Sequence, residues 1–340
     1  MRYLRGLMLC TLLALLAACA TPTATKQETA VHLWPPAPES ARIAWVRSFS
    51  RPDDLGIQRT LLQKLKDILF GASEVKLVRP MSVVVQGSAT YVADPGAKGV
   101  HRFDTANGDY RLIVAENGSP LSSPVGLTRC GSEVLVSDSG RAQLFSLPTG
   151  AGGAKPLTLD APLRQPTGIA CDAAGERLFV SDTLEHQIKI FRHTNGTWHL
   201  ERAFGQRGTE AGEFNFPTYL WWSGERLYVS DALNFRIQVF DGAGQALRQF
   251  GKLGDGSGDA ARQKGVATDD KGHVYVVDAL FHAFQIFDSN GDFLLAVGAR
   301  GSDPGEFWLP TGIFIDRDLI YVADSYNSRV QVFRYLEAAP

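Results

Sequence analysis

The chain has 340 residues, of which 44% are hydrophobic and 21% charged, with 34 Gly, 17 Pro and a formal net charge of -2. The apolar content suffices for a packed core, the Gly and Pro imply many turns, and a near-neutral charge leaves no electrostatic footprint for nucleic acid. Length alone admits one large domain or two ordinary ones.

Arg2 and Arg5 precede an apolar run over residues 7–16, which has the positive flank and short hydrophobic stretch of an export signal and is too short to span a bilayer by itself. The run ends in Leu16-Ala17-Ala18-Cys19, which resembles the lipobox of bacterial lipoproteins. That resemblance implies a signal peptide over residues 1–18 and a Cys19 that becomes the acylated first residue of the mature chain, joined to a membrane through its lipid. Each buried acyl methylene contributes about 0.8 kcal/mol, so a multiply acylated Cys19 would hold a soluble domain firmly. Ala20 stands where such lipoproteins carry Asp for inner-membrane retention, which implies the outer membrane of a bacterial cell envelope. Residues 19–40 are rich in Thr, Pro, Ala and Glu without an apolar period and read as a flexible, lipid-anchored tether. Export would carry Cys130 and Cys171 into an oxidising compartment, where a disulfide persists.

Residues 41–50 hold an isolated strand pattern at 43–49. Residues 55–71 place Leu61, Leu62, Leu65 and Leu69 on one helical face, with Arg59, Lys64, Lys66 and Asp67 off it. This predicts an amphipathic helix, packed on the flank of the domain or laid against a membrane or partner.

From residue 75 to residue 336 the chain repeats itself. An aromatic residue or Leu, then Val, any residue and Asp, recurs at Asp94, Asp138, Asp182, Asp231, Asp278 and Asp324, at intervals of 44 to 49 residues. Phe103, Phe191, Phe240, Phe287 and Phe333 each stand nine residues after their Asp, and Phe145 comes two residues early. Pro80, Pro124, Pro166, Pro217 and Pro310 precede the Asp by 14 to 16 residues, and Gln263 takes that slot in the fifth copy. Gly205, Gly208 and Gly212 lead to Pro217 with the same offsets as Gly251, Gly254 and Gly258 lead to Gln263, and Gly298, Gly301 and Gly305 to Pro310. The copies hold short β-branched and aromatic runs parted by Gly, Asn and Asp, a strand-and-turn pattern, and a fourth run such as 247–250 completes four strands per repeat in all but the last. Six such units predict an all-β, six-bladed β-propeller of four-stranded antiparallel blades. The last copy has only three strands, and Val46-Arg47-Ser48-Phe49 is similar to Leu247-Arg248-Gln249-Phe250, so the N-terminal strand is expected to close the last blade.

Asp231-Ala-Leu-Asn234-Phe-Arg236-Ile-Gln-Val-Phe240, Asp324-Ser-Tyr-Asn327-Ser-Arg329-Val-Gln-Val-Phe333 and Pro310-Thr-Gly-Ile resemble the NHL repeat, and the layout as a whole resembles bacterial NHL-type propeller lipoproteins. The resemblance is specific for the fold and weak for activity.

A residue present in every blade serves the blade, so the six Asp read as turn residues whose carboxylates satisfy backbone N–H groups. Function is sought in departures from the repeat and on one face, where the loops between second and third strands and the loops between blades emerge together. That face gathers His186, Phe235, Arg236, Phe281, His282, Trp308, Tyr326, Asn327 and Arg329, the kinds of residue that dominate interface hot spots. Glu213, Phe214, Phe216 and Phe307 share it, with Phe214 and Phe307 also suited to packing between blades. Tyr219 takes a slot held by Gly126, Gly168 and Gly312, beside Trp221 and Trp222, where its ring would narrow the channel mouth, line a pocket or fill space. The pairing of Cys130 and Cys171 stays open: opposite parity lets them face one another, whereas first strands spaced beyond disulfide reach would keep them apart.

These features predict a membrane-anchored lipoprotein whose propeller is a non-catalytic scaffold for an envelope protein, peptide or glycan, with no cofactor, no metal and no nucleic acid. The alternative is a metal-dependent propeller hydrolase or lyase, lactonase-like or amidating-lyase-like, for which only His186 and His282 share a face. There is no P-loop, no GxSxG elbow and no CxxCH haem site.

Overall fold

The computed structural model describes residues 32–58 and 75–337. Strands such as Ala89–Asp94 and Val274–Asp278 are buried along their whole length, so their sequences run largely apolar without alternation, as strands covered on both faces do. Outermost strands such as Ala246–Phe250 and Phe293–Val297 alternate between exposed and covered positions, because their sheet meets solvent there.

These strands form six sheets arranged in a ring, a six-bladed β-propeller. Blade 1 is Ser82–Gln86, Ala89–Asp94, Gly99–Asp104 and Asp109–Ile113; blade 2 is Pro124–Cys130, Glu133–Asp138, Gln143–Leu147 and Lys155–Pro156. Blade 3 is Pro166–Cys171, Arg177–Asp182, Gln187–Thr194 and Thr197–Phe204; blade 4 is Pro217–Ser223, Arg226–Asp231, Arg236–Asp241 and Ala246–Phe250. Blade 5 is Gln263–Thr268, Val274–Asp278, Ala283–Phe287 and Phe293–Val297; blade 6 takes Ile313–Asp316, Leu319–Asp324 and Arg329–Tyr335 from the C-terminal side. The first strand of each blade lies along the axis, and successive first strands pack against one another around the ring, blade 6 against blade 1.

Blade 6 is completed from the other end of the chain. Ile43–Phe49 pairs antiparallel with Arg329–Tyr335, with Trp45 opposite Phe333, Phe49 opposite Val330 and a bulge between Trp45 and Arg47. The expected closure is therefore present, and it covers an edge that would otherwise be free to pair with another chain. One feature exceeds the expectation: Leu33–Trp34, placed by composition in the flexible tether, adds a fifth strand by pairing with Ile43 and Ala44. Trp34 reaches Phe333 at 5.7 Å between ring centroids, so an aromatic residue in a Pro-rich segment finds the inter-blade core. Residues 1–31 with Cys19, and 59–74 with most of the expected helix, lie outside the described residues. Just before that gap, Pro52–Leu55 forms a single 3-10 turn, and Ile57 is buried.

Cys130 and Cys171 end the first strands of blades 2 and 3 and are joined by a disulfide, with Cα atoms 5.2 Å apart. Adjacent first strands thus come within disulfide reach at this end of the ring, which resolves the pairing left open by the sequence.

Two stability outcomes follow from the closure and the staple. Phe49 is 2% exposed and packs edge-on against Phe103 of blade 1 at 5.5 Å, so Phe49→Ala should cost about 3–5 kcal/mol in urea unfolding, although its position lies far from the main repeat. Cys130→Ser with Cys171→Ser opens a loop of sequence separation 41 and should cost about 2–4 kcal/mol in the same measurement, an effect that reducing agent reproduces in the parent chain.

Candidate functional site

The six repeated Asp are all fully buried at the ends of their second strands. Each carboxylate reaches the segment that leads into its own blade: Asp94 accepts from the N–H of Val78 and Arg79, Asp138 from Ser122 and Ser123, Asp182 from Arg164 and Gln165, and Asp278 from Ala261 and Arg262. In blades 4 and 6 the carboxylate takes one such N–H, Asn215 to Asp231 and Trp308 to Asp324. There the next residues, Phe216 and Leu309, have φ of 56° and 49°. Their N–H groups point instead at the preceding blade, where His186 Nδ1 accepts from Phe216 at 3.2 Å and His282 Nδ1 accepts from Leu309 at 3.1 Å.

The residue four places after each Asp is left-handed in every blade: Lys98, Ala142, His186, Phe235, His282 and Ser328 all have φ between 53° and 56°. His186 and His282 are thus equivalent turn residues that cap linkers in blades 3 and 5. With Nδ1 accepting, the neutral ring carries its proton on Nε2 and has no lone pair left for a metal. Burial, aided by Arg300, also lowers the pKa of His282. Among the described residues no group of three or more His, Cys, Asp and Glu is placed to hold a metal ion.

Arg236 and Arg329 are drawn inward. Arg236 donates to Asp231, Gln249 and the carbonyls of Thr209, Glu210 and Glu213; Arg329 donates to Asp324 and the carbonyls of Ser302, Asp303 and Glu306. Asn327 Nδ2 bridges Asp324 and the carbonyl of Gly301, as Asn234 bridges Asp231 and Gly208. Three glutamines clamp the Gly-rich linkers in the same way: Gln238 on Gly212 and Glu213, Gln285 on Gly258 and Asp259, Gln331 on Gly305 and Glu306. Of the residues expected on this face, Arg236, Arg329 and Asn327 therefore build it from below. Phe214 and Phe307 are fully buried against Phe240 and Phe333, and Phe235 and Phe281 are half-buried.

Trp308 and Tyr326 are exposed, at 46% and 50%, with their rings 5.9 Å apart and the Arg79 guanidinium 5.4 Å over Tyr326. Tyr326 also marks a position that the sequence reading passed over. The second residue after each repeated Asp is Leu184, Leu233, Leu280 and Tyr326 in blades 3 to 6, all at least 41% exposed, but Gly96 and Gly140 in blades 1 and 2. An apolar arc therefore covers four consecutive blades of one face, extended by Trp308. The signal was present in the repeat alignment as an apolar residue inside an otherwise polar turn.

On the axis, Gly126 and Gly168 lie so close to the backbones of Thr167 and Thr218 that a Cβ at either would overlap the next blade's first strand. Ser82 in blade 1 and Tyr219 in blade 4 depart from this slot, and the Tyr219 ring crosses the centre of the propeller: its phenol donates to the carbonyl of Met81, at the entry to blade 1, at 3.0 Å. Beside it the axis retains a space of about 20 Å³, room for about one water. Burial raises the Tyr219 pKa far above its ordinary value. Lys264, one residue after Gln263 in the first strand of blade 5, is also largely buried, and its pKa is lowered by that burial and by Arg262.

Below Tyr219 the axis widens into a cup of about 640 Å³ at the opposite end from the apolar arc. Its floor is Leu127, Ile169, Leu220, Trp221 and Phe314, and its rim includes Gln86, Thr128, Arg129, Asp172, Ser223 and Glu225. The Trp221 indole N–H donates to Thr268 Oγ1 at 2.9 Å, which fixes the ring edge-on to Phe314 at 5.7 Å. Arg129 lies over Phe314 at 5.0 Å and donates to Asp316 at 3.3 Å. Sequence reasoning placed Trp221 beside a possible pocket and looked for it at the other mouth.

A family described as 6-bladed beta-propeller matches residues 263–336. No curated protein sequence matches the chain. Among solved structures, a Bacteroides thetaiotaomicron protein of unknown function is similar at TM-score 0.61 and 14% identity, covering 77% of this chain and 70% of that one. An auxiliary nutrient binding protein from the same species is similar at TM-score 0.59 and 13% identity, over 77% of this chain and 70% of its own. Virginiamycin B lyase from Staphylococcus aureus is similar at TM-score 0.55 and 14% identity, over 76% of this chain and 96% of its own. Identities this low carry the fold alone.

The repeated Asp do not titrate alike. Burial would raise Asp94, but the His101 imidazole 3.4 Å away and the hydrogen bonds from the N–H of Val78, Ala97 and Arg79 outweigh it and leave the pKa below the ordinary carboxylate value. At Asp324 burial prevails over Trp308, Asn327 and Arg329 and leaves the pKa raised. Carbon-13 carboxyl titration should place Asp94 below about 3.9 and Asp324 above it. The Asp94 contribution to stability is present above that value and lost as pH falls through its folded pKa. The Asp324 shift opposes folding above that range and is relieved as the group protonates.

Proposed function

We propose that this chain is an exported NHL-type lipoprotein, held through acylated Cys19 at the outer membrane, whose propeller is a non-catalytic scaffold for a protein of the cell envelope. The observation that carries the reading is the apolar arc of Leu184, Leu233, Leu280, Tyr326 and Trp308 on one face, whose turn position is Gly96 and Gly140 in blades 1 and 2. A residue required by the blade would recur in all six, and a run of exposed apolar anchors marks an interaction site.

Between these anchors stand exposed Arg164, Arg207, Lys252, Arg262 and Arg300 against Glu185, Glu210, Asp255 and Asp303. Such a mixture suits the rim of a protein interface and gives little attraction to an anionic lipid surface. The Cys130–Cys171 disulfide supports an oxidising compartment, in keeping with export. A hydrolase or lyase reading through His186 and His282 finds no support in their geometry, since both Nδ1 atoms serve backbone N–H groups.

Two experiments test the reading. Radiolabelled palmitate should enter the full chain and be lost with Cys19→Ser, which should also release the protein from membranes; labelling that survives the substitution would refute the anchor. Cross-linking in intact cells should yield one defined envelope protein, reduced at least about tenfold by Trp308→Ala with Leu233→Asp. Equal yield from that variant, or stoichiometric zinc or calcium lost with His282→Ala, would refute the scaffold reading.

A further inference from the structure

The geometry points to a second binding site, at the other end of the axis: the blind cup beneath Tyr219 takes a neutral saccharide. Its volume of about 640 Å³ falls within the range of small-molecule sites, roughly 300–1,000 Å³. It is closed at depth, because the Tyr219 phenol spans from blade 4 to the Met81 carbonyl of blade 1. A ligand can therefore enter and leave only by the mouth opposite the apolar arc.

The lining selects the chemistry. A sugar ring presents one face of C–H groups and a rim of hydroxyls, each both donor and acceptor. The cup offers the matching pair of surfaces: the half-buried Trp221, held in orientation by Thr268 and seated edge-on against buried Phe314, and a rim that carries both donors and acceptors. Arg129 supplies donors only, its guanidinium 5.0 Å over the Phe314 ring and steadied by Asp316. Gln86 supplies both kinds, and Asp172 and Glu225 supply acceptors. Asp172 Oδ1 accepts from the N–H of Glu176 and Arg177, which fixes that carboxylate at the lining of the cup. With two lining carboxylates against one lining cation, and that cation already paired with Asp316, an anionic ligand is disfavoured. A purely apolar ligand would leave the rim groups desolvated without partners.

The test uses the full chain in a sugar-free amine-oxide detergent, with tryptophan fluorescence read during titration with cellotetraose, maltotetraose, chitotetraose and, as the anionic counterpart, tetragalacturonate. At least one neutral oligosaccharide should give a saturable change, and the anionic one should give none. Trp221→Ala should weaken that binding at least about tenfold, as should Arg129→Ala, whose side chain is partly exposed and whose removal leaves the core intact. Trp308→Ala with Leu233→Asp, on the opposite face, should leave it unchanged, so this site and the protein-binding face fail separately. The proposal is overturned if no neutral oligosaccharide saturates at about 10 mM, if only tetragalacturonate binds, or if binding survives Arg129→Ala unaltered.

Discussion

The propeller depends on one recurring contact, a buried carboxylate at the end of a second strand that accepts hydrogen bonds from the backbone entering the same blade. Taking a carboxylate out of water costs several kcal/mol unless donors replace the hydration, and a linker crossing the top of a blade has N–H groups with no strand to pair with. Each deficit answers the other. The bond also fixes geometry, since it sets where the linker turns down to become the first strand, and with it the spacing of first strands around the axis. The close approach of Gly126 to Thr167, and of Gly168 to Thr218, requires that spacing.

Around this shared contact the blades differ, and the differences explain why the most regular residues are the least available to a partner. Seven places after the Asp stand His101, Lys189, Gln238 and Gln331, each turned to its carboxylate. In blades 4 and 6 an Arg and an Asn join it, and both go on to grip the Gly-rich linker. Blade 5 keeps the glutamine clamp without that Arg: Ala283 stands in the corresponding place. A guanidinium that satisfies several main-chain carbonyls rigidifies the face and gives up its own contact with solvent. The exposed positions that this scaffold leaves over include the second turn residues and the ends of the first strands, the two places to which binding is proposed.

This separation marks the limit of what the sequence discloses. The ring, its blade number and its closure by residues 43–49 were legible because they depend on periodicity and on a missing fourth strand. The role of Arg236 was not, because spacing locates a residue on a turn without telling whether a linker folds over it. Leu33 and Trp34 sit in a Pro-rich stretch with no period, and only the inter-blade space beside Phe333 makes a strand of them. The cup escaped notice because it is built by residues at the far ends of first strands from five blades, 86 to 314, which no local motif relates. His186 and His282 were found as a pair by position, yet their shared role followed from the left-handed Phe216 and Leu309, a feature of backbone conformation in residues that give no such sign.

Tyr219 then decides how the two ends of the molecule relate. A glycine in its slot, as in blades 2, 3, 5 and 6, would remove the ring from the centre; the phenol instead joins blade 4 to blade 1 across it. Bulk and a buried hydrogen bond act together here, since the ring fills the space and the hydroxyl, kept protonated by its burial, ties it to a carbonyl on the far side. An occupant of the cup thus has no path to the apolar arc. Any influence of one end on the other has to pass through first strands that are packed backbone to backbone and, between blades 2 and 3, joined by a disulfide. Such strands resist displacement, so the two ends act as independent surfaces of one rigid ring.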